Sequence, residues 1–169
     1  VDIDTAVARA NGHVPVVIGG SRRRAALARE LGADPVFEIA EYDEDVVGKV
    51  LEHAPDGFDC VIETTTTDWG MKQAVGIAAP GARIALVGGG NLPWTGWDLV
   101  LKEMSVFGLR AGPRQDTVLS LIARNKIDLK PTITHRFTLE ETPKAYELLT
   151  GPDLEDIGRI MIDVDPDLH

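Results

Sequence analysis

Arginine occupies positions 22–24, directly after the short segment Gly19-Gly20-Ser21. Apolar residues precede this segment and a helical pattern follows it, so the arginines begin a predicted helix whose N-cap is Ser21. A helix N-terminus carries partial positive charge, and cations are therefore unfavourable there. Guanidinium groups, however, match phosphate oxygens in two-point contacts. The run indicates a site for a small anion.

The overall charge of the chain makes this cluster unusual. The 169 residues carry a formal net charge of -10 and have a pI of about 4.8. Such a surface repels nucleic acids and anionic membranes, which bind to basic patches. With 44% hydrophobic residues the chain is expected to form one globular domain. A local cluster of cations in an acidic protein is therefore more informative than in a basic one.

Cysteine content and hydropathy indicate the cellular setting. Cys60 is the only cysteine, so neither an internal disulfide nor a thiolate zinc cage can form. This favours a reducing, cytoplasmic location. No apolar run approaches the roughly 18 residues of a membrane span. We expect neither a membrane nor a nucleic acid among the partners.

Short apolar runs alternate with amphipathic runs along the chain. Strands are predicted at 14–20, 35–39, 59–64, 83–89 and 105–112, and helices at 22–33, 43–54, 68–79, 96–104 and 113–127. Pro80-Gly81 predicts a turn before the strand at 83–89. Continuous apolar strands that alternate with helices are typical of a parallel sheet covered on both faces. The expected fold class is α/β, with a doubly wound, Rossmann-like parallel sheet.

Ligands bind such sheets beyond the carboxyl ends of the strands. Here four predicted strands end in IGGSRRR, ETTTT, VGGGN and GLRAG, which concentrate glycine, hydroxyl and guanidinium groups at four successive strand ends. Each segment alone also fits a plain turn or a helix cap. The recurrence at four strand ends is the more specific signal for a ligand site.

The G-x-G-x-x-G loop of dinucleotide-binding folds is absent. The first 13 residues have the pattern of the second half of a helix. We therefore expect the glycine loop and the strand before it to lie upstream of Val1. On this interpretation residues 1–169 are a nucleotide-binding domain truncated at its N-terminus.

Several segments resemble the nucleotide-binding domain of the medium-chain, zinc-type alcohol and polyol dehydrogenases. They are ALARELGAD, FDCVIETT, APGARIALVGGG, ITHRFTLEETPKAYELL and GRIMID, within roughly residues 5–164. The last two are the most specific, because they correspond to the family's final strand, helix and strand. In that family a separate domain holds the catalytic zinc. The resemblance therefore implies that this chain has no metal ligand and no catalytic residue of its own.

The resemblance also implies the cofactor. NAD-specific members place an acidic residue after the second strand, to bind the adenosine ribose 2′-hydroxyl. This chain has Gly20-Ser21-Arg22 there and no carboxylate, which favours NADP, with NAD less suitable. The alternative is a solvated basic turn whose arginines pair with surface carboxylates.

The resemblance assigns expected contacts to each part of the cofactor. They are Gly19, Gly20, Ser21, Arg22 and Arg23 at the 2′-phosphate, Thr64, Thr65 and Thr66 at the adenosine ribose, Val87, Gly88 and Gly89 at the nicotinamide, Leu109 and Arg110 at the carboxamide, and Arg159 at the pyrophosphate.

The function implied is hydride transfer between NADP and the carbinol or carbonyl carbon of a small-molecule substrate. Zinc in the separate domain would polarise the substrate oxygen, so this chain alone is expected to be inactive. Two alternatives remain open: a zinc-free quinone or enoyl reductase, and a non-enzymatic nucleotide-binding module. Members of the resembling family pair through strands near segment 87–108, whose apolar, tryptophan-containing composition suits an interface core, so the resemblance also implies a homo-oligomer.

Overall fold

The computed structural model describes residues 2–42, 45–110, 115–152 and 157–165. Its helices are α1 (Asp2–Ala10), α2 (Arg22–Glu30), α3 (Ile39–Tyr42), α4 (Val46–His53), α5 (Asp68–Ile77), α6 (Gly96–Lys102), α7 (Gln115–Ala123) and α8 (Thr142–Leu149). Its strands are β1 (Val17–Gly19), β2 (Val36–Glu38), β3 (Phe58–Glu63), β4 (Ala78–Leu86), β5 (Ser105–Gly108), β6 (Ile133–Thr138) and β7 (Arg159–Asp163).

The chain divides into two compact units, one of residues 1–41 with 114–169 and the other of residues 42–113. The first contains the two-stranded sheets β1–β2 and β6–β7, and the second contains the three-stranded sheet β3–β4–β5. Every strand pair among the described residues is parallel. The predicted α/β class with parallel strands is confirmed.

Helix α2 forms as its sequence predicts. Ser21 is the N-cap, and its Oγ accepts a hydrogen bond from Arg24 N–H at 3.3 Å. Gly32 follows the C-cap with a φ of +95°, a conformation that favours glycine. Ala25 and Ala28 are fully buried, and Ala28 belongs to a small apolar cluster with Val17 and Ala33. These contacts fix the helix start directly after β1.

The second unit buries its apolar residues around the three-stranded sheet. Val46 and Val50 of α4, Met71 of α5 and Ile84 of β4 are fully buried. Lys102 at the end of α6 donates hydrogen bonds to carbonyl oxygens at the end of α5, including Val75 O and Ala78 O, both at 2.8 Å. An ammonium group on these carbonyls stabilises the helix C-terminus.

The turn predicted at Pro80-Gly81 is wrong. Both residues lie within β4, where the register against β3 shifts between Phe58 and Cys60. Gly81 has a φ of +78°. The glycine conformation thus forms an irregularity inside the strand instead of a chain reversal. The predicted start of helix 43–54 at residues 43 and 44, and the predicted helix start at Pro113, lie outside the described residues.

The sheet β6–β7 is the last part of the fold. Its register places Arg136 opposite Met161, and Arg136 forms an ion pair with Asp163 at 2.8 Å. His135 contacts the Thr134 hydroxyl at 2.8 Å and stacks on Phe137 with ring centroids 6.4 Å apart. These contacts give the histidine a packing role in this sheet. In the described parts of the chain, no helix has both the length and the apolar character to cross a membrane.

Candidate functional site

The first group of predicted site residues lies at the carboxyl end of β1. We call residues 19–24 the arginine edge. Gly19 is buried, while the side chains of Arg22, Arg23 and Arg24 are exposed. None of the three arginines forms an ion pair with another described residue. The first turn of α2 also contains no acidic residue, so no carboxylate of that turn offsets the cations at the positive end of the helix.

Space and charge around the arginine edge suit an anion. A β-carbon added to Gly20 would have no heavy atom within 4 Å. The carboxylate nearest in register is Glu38, which lies opposite Gly19 on β2. The Glu38 carboxylate forms an ion pair with Arg29, whose Nη1 lies 3.0 Å from Glu38 Oε1. Arg29 is about two helical turns along α2 from Arg22. The arginines therefore border open space that contains no competing carboxylate from β2.

The second group lies at the carboxyl end of the three-stranded sheet. Two hydrogen bonds extend its ladders beyond the strands: Val87 N–H donates to Glu63 O at 3.0 Å, and Leu109 N–H donates to Leu86 O at 2.7 Å. As a result, three predicted segments share one edge of one sheet. They are Thr64, Thr65 and Thr66 after β3, Val87, Gly88 and Gly89 after β4, and Leu109 and Arg110 after β5.

The segment after β3, residues 63–67, forms a tight turn that we call the threonine turn. Glu63 is 4% exposed, and its Oε1 accepts hydrogen bonds from Thr65 N–H at 2.7 Å and from Thr65 Oγ1 at 2.5 Å. Thr67 caps α5 by accepting a hydrogen bond from Gly70 N–H at 3.0 Å. Buried carboxylates require such partners, because desolvation of an unpaired charge is costly. A buried acid therefore organises the turn.

Thr66 adopts an unfavourable backbone conformation within this turn. Its φ is +61°, and a β-branched residue in the left-handed region costs about 1–3 kcal/mol. Thr66 N–H lies 3.4 Å from Glu63 Oε2. The surrounding contacts thus maintain a conformation that the residue disfavours by itself.

The threonine turn packs closely against the backbone after β4. A β-carbon on Gly88 would collide with Thr66 Cγ2, and one on Gly90 would lie 2.8 Å from Thr66 O. Only glycine permits these approaches without displacement. Two of the predicted segments, 64–66 and 87–89, are therefore joined by direct contact.

The loop after Gly90 has a second attachment and leads into α6. Trp94 Nε1–H donates to Met71 O at 2.8 Å, which fixes the loop on α5. Thr95 and Asp98 then form a capping box at the start of α6. The Thr95 backbone N–H and hydroxyl donate to the Asp98 carboxylate and hold its pKa below the ordinary value of 3.8.

Arg159 lies in a different sheet from the one that carries the arginine edge. It is exposed and begins β7, opposite Ile133 in the sheet β6–β7, whereas the arginine edge follows β1. Its assignment to the pyrophosphate stays a prediction.

Sequence reasoning missed the role of Glu63 and Trp94. A carboxylate at an inward-facing position of the strand FDCVIE, where Val61 and Glu63 are buried and Ile62 is exposed, is the signal that could have identified Glu63. The Trp94 contact joins residues 23 positions apart, and no local pattern indicates it.

Within the described ranges, no three His, Cys, Asp or Glu side chains are grouped so as to hold a metal ion. Cys60 is exposed on β3. The described residues therefore do not provide the cysteine, histidine and acidic ligands expected of a catalytic zinc site.

Comparison with known proteins identifies relatives of the chain. A family model described as zinc-binding dehydrogenase matches residues 4–124. The L-threonine 3-dehydrogenase of Pyrococcus abyssi is 30% identical over 153 residues, which are 85% of this chain and 43% of that enzyme. The sorbitol dehydrogenase of Macaca fascicularis is 30% identical over 166 residues, 95% of this chain and 45% of that enzyme. The chain thus spans less than half the length of these relatives.

Solved structures share the fold. A short chain alcohol dehydrogenase from Escherichia coli CFT073, complexed with the cofactor NADH, matches with a TM-score of 0.83 and 22% identity. The match covers 95% of this chain and 48% of that chain.

Proposed function

Because this chain belongs to the zinc-binding dehydrogenase family, we propose that it forms the NADP-binding part of an alcohol or polyol dehydrogenase. The observation that carries the proposal is the arginine edge: two exposed arginines, Arg22 and Arg23, beside the open space at Gly20. A 2′-phosphate supplies the negative charge that this edge lacks. NAD presents a neutral 2′-hydroxyl there and gains nothing from the arginines.

The roles of the residues follow from their groups. Arg22 and Arg23 donate paired hydrogen bonds to phosphate oxygens, and Gly20 leaves room for the phosphate. When bound, NADP would supply the hydride-transfer chemistry through its nicotinamide ring. The three-stranded edge, with its exposed Gly89 and half-buried Gly88, offers backbone without side chains on which a flat ring can lie. The contribution of these residues is to bind and orient the cofactor.

The substrate class is proposed from the relatives. The L-threonine and sorbitol dehydrogenases named above suggest a small alcohol or its carbonyl product. Since the described residues provide no zinc ligand set, we propose that substrate activation depends on residues other than these. The chain alone should therefore show no alcohol-dependent reduction of NADP.

The test of cofactor choice is Arg22→Ala. The variant should lose about 1.5–3 kcal/mol of NADP affinity, the scale of hydrogen bonds to charged groups, and almost none of its NAD affinity. Titration calorimetry with both cofactors measures this. Arg124→Ala is the matched control, because Arg124 is an exposed arginine far along the chain in the segment after α7. Equal losses for NADP and NAD would refute the assignment.

We also propose that the chain self-associates through α6. Its residues Trp97, Val100 and Leu101 are 70%, 63% and 77% exposed, and apolar surface of this kind is typical of an interface core. Sedimentation velocity should show a dimer at micromolar concentration, and Leu101→Ser should shift it to monomer. A wild-type chain that remains monomeric throughout this range would contradict the proposal.

A further inference from the structure

Glu63 is a buried carboxylate that forms no ion pair with a cation of the described residues. The residue is 4% exposed. It is stabilised instead by Thr65 N–H, the Thr65 hydroxyl and Thr66 N–H. A carboxylate kept in this position at a desolvation cost is expected to have a specific task.

The hydrogen bonds of Glu63 determine where Thr66 lies. Both donors on Oε1 belong to Thr65, and Oε2 faces the amide of Thr66, so the carboxylate spans the two residues that make the sharp turn. Without it, Thr66 would return to a conformation with negative φ, which β-branched residues prefer. The left-handed φ of +61° is therefore coupled to the carboxylate.

Thr66 in turn limits the position of the loop after β4. Its methyl group lies against Gly88 and its carbonyl oxygen against Gly90, both at distances that exclude a β-carbon. A β-carbon added to Gly90 would also lie 3.2 Å from Met71 Cε. The loop is thus held between the threonine turn and α5.

We propose that Glu63 is a positioning residue for dinucleotide binding. It fixes Thr66, and through Thr66 it sets the backbone of Gly88–Gly90 at the edge of the three-stranded sheet. Because it acts on the edge of the three-stranded sheet and not on the arginine edge, its loss should affect NADP and NAD alike. This inference rests on the proposed function, because it takes this edge as part of the nucleotide site.

The experiment compares Glu63→Gln with the wild-type chain. Glutamine keeps the size and one carbonyl acceptor but turns the other oxygen into an NH₂ group, which opposes the Thr66 amide. The affinities for NADP and NAD should both fall about ten-fold, the size expected for one charge-assisted hydrogen bond. The amide resonances of Gly88 and Gly90 should shift in the free protein. Lys49→Gln, at an exposed ion pair on α4 in the same unit, is the control.

A second pair of variants separates positioning from folding. Thr65→Val removes the hydroxyl that donates to Glu63, whereas Thr65→Ser restores it. In the free protein the valine variant should shift the amide resonances of Gly88 and Gly90 as Glu63→Gln does, and the serine variant should restore them; this readout does not depend on a contact between Thr65 and a cofactor. If Glu63→Gln does not fold, this pair decides, and equal Gly88 and Gly90 resonances in the two variants would overturn the proposal.

The outcomes distinguish this inference from the proposed function. A folded Glu63→Gln variant with unchanged cofactor affinity, or with a loss confined to NADP, overturns the positioning role. A wild-type chain that prefers NAD refutes NADP specificity. In that case the NAD affinity of Glu63→Gln, compared with that of the wild-type chain, still tests the positioning role. If the wild-type chain binds neither cofactor, the proposed function fails, and unchanged Gly88 and Gly90 resonances in Glu63→Gln would overturn this inference separately.

Discussion

The arginine edge and the threonine turn are organised by opposite means. The three arginines of the arginine edge are exposed and have no ion-pair partner in the described part of the chain. The threonine turn is built around a buried carboxylate and is packed against the backbone of the next loop. The charges of the arginine edge are exposed to solvent, whereas the single charged group of the threonine turn is buried and held by hydrogen bonds.

This difference determines how each region should respond to conditions. Exposed charges are screened within about 8 Å at physiological salt, so binding that depends on the arginine edge should weaken as salt rises. Contacts in the threonine turn are short and partly buried, and screening affects them much less. We therefore expect selectivity for the phosphate to depend on the arginine edge, and the backbone geometry of the three-stranded sheet edge to depend on the threonine turn.

The largest expected effect is a steric one, and it contrasts Gly88 with Gly20. Gly88→Ala places a β-carbon on Thr66 Cγ2, whereas Gly20→Ala extends into open space. The first variant should lose about 1–3 kcal/mol of unfolding free energy through overpacking, and the second about 0.5 kcal/mol or less. Urea denaturation of both variants measures this. Similar unfolding free energies for Gly88→Ala and Gly20→Ala would show that the threonine turn accommodates an added methyl group as readily as the arginine edge does.

A smaller effect concerns Arg23 at the start of α2. Arg23→Glu replaces an unfavourable cation at the helix N-terminus with a favourable anion and should raise the unfolding free energy by about 0.3–1 kcal/mol. The same variant should bind NADP more weakly and lose part of the salt dependence of binding. Thermal unfolding and titrations at two salt concentrations test both statements. A variant that is less stable than the wild-type chain would argue that Arg23 has a structural partner.

The smallest expected effect concerns Asp98 in the capping box of α6. Its pKa is lowered by hydrogen bonds from the Thr95 backbone and hydroxyl, so the folded state favours the ionised carboxylate. The stabilisation is fully present above the unfolded-state pKa and is lost as pH falls through the lower folded-state pKa. The stability difference between wild type and Asp98→Asn should therefore shrink between about pH 5 and pH 2. A difference that stays constant over this range would exclude ionisation as its source.

Local chemistry explains why α2 and its surroundings were predictable. Ser21 accepts the amide hydrogen bond of Arg24 within its own turn, and Gly32 adopts the positive φ that ends a helix. Both depend on residues a few positions away. The alternation of apolar and amphipathic runs likewise predicted the parallel strands, and the segments 133–149 and 158–163 form the expected strand, helix and strand.

The sequence could not predict features that depend on distant residues. The pair Pro80-Gly81 is a common turn signal, but pairing with β3 keeps it inside β4. Lys102 lies on carbonyl groups 24 to 27 positions earlier in the chain. Such contacts form only when separate elements pack together.

The sequence by itself determined the fold class and the positions of most candidate residues at the strand ends, because periodicity and capping are local properties, and its motifs carried the resemblance to the dehydrogenase family. The tertiary structure alone decided which candidate segments touch. It buried Glu63, placed Thr66 against Gly88 and anchored Trp94 on Met71. The physical reason is that burial, steric exclusion and long-range hydrogen bonding arise from packing between elements, which residue type and spacing do not specify.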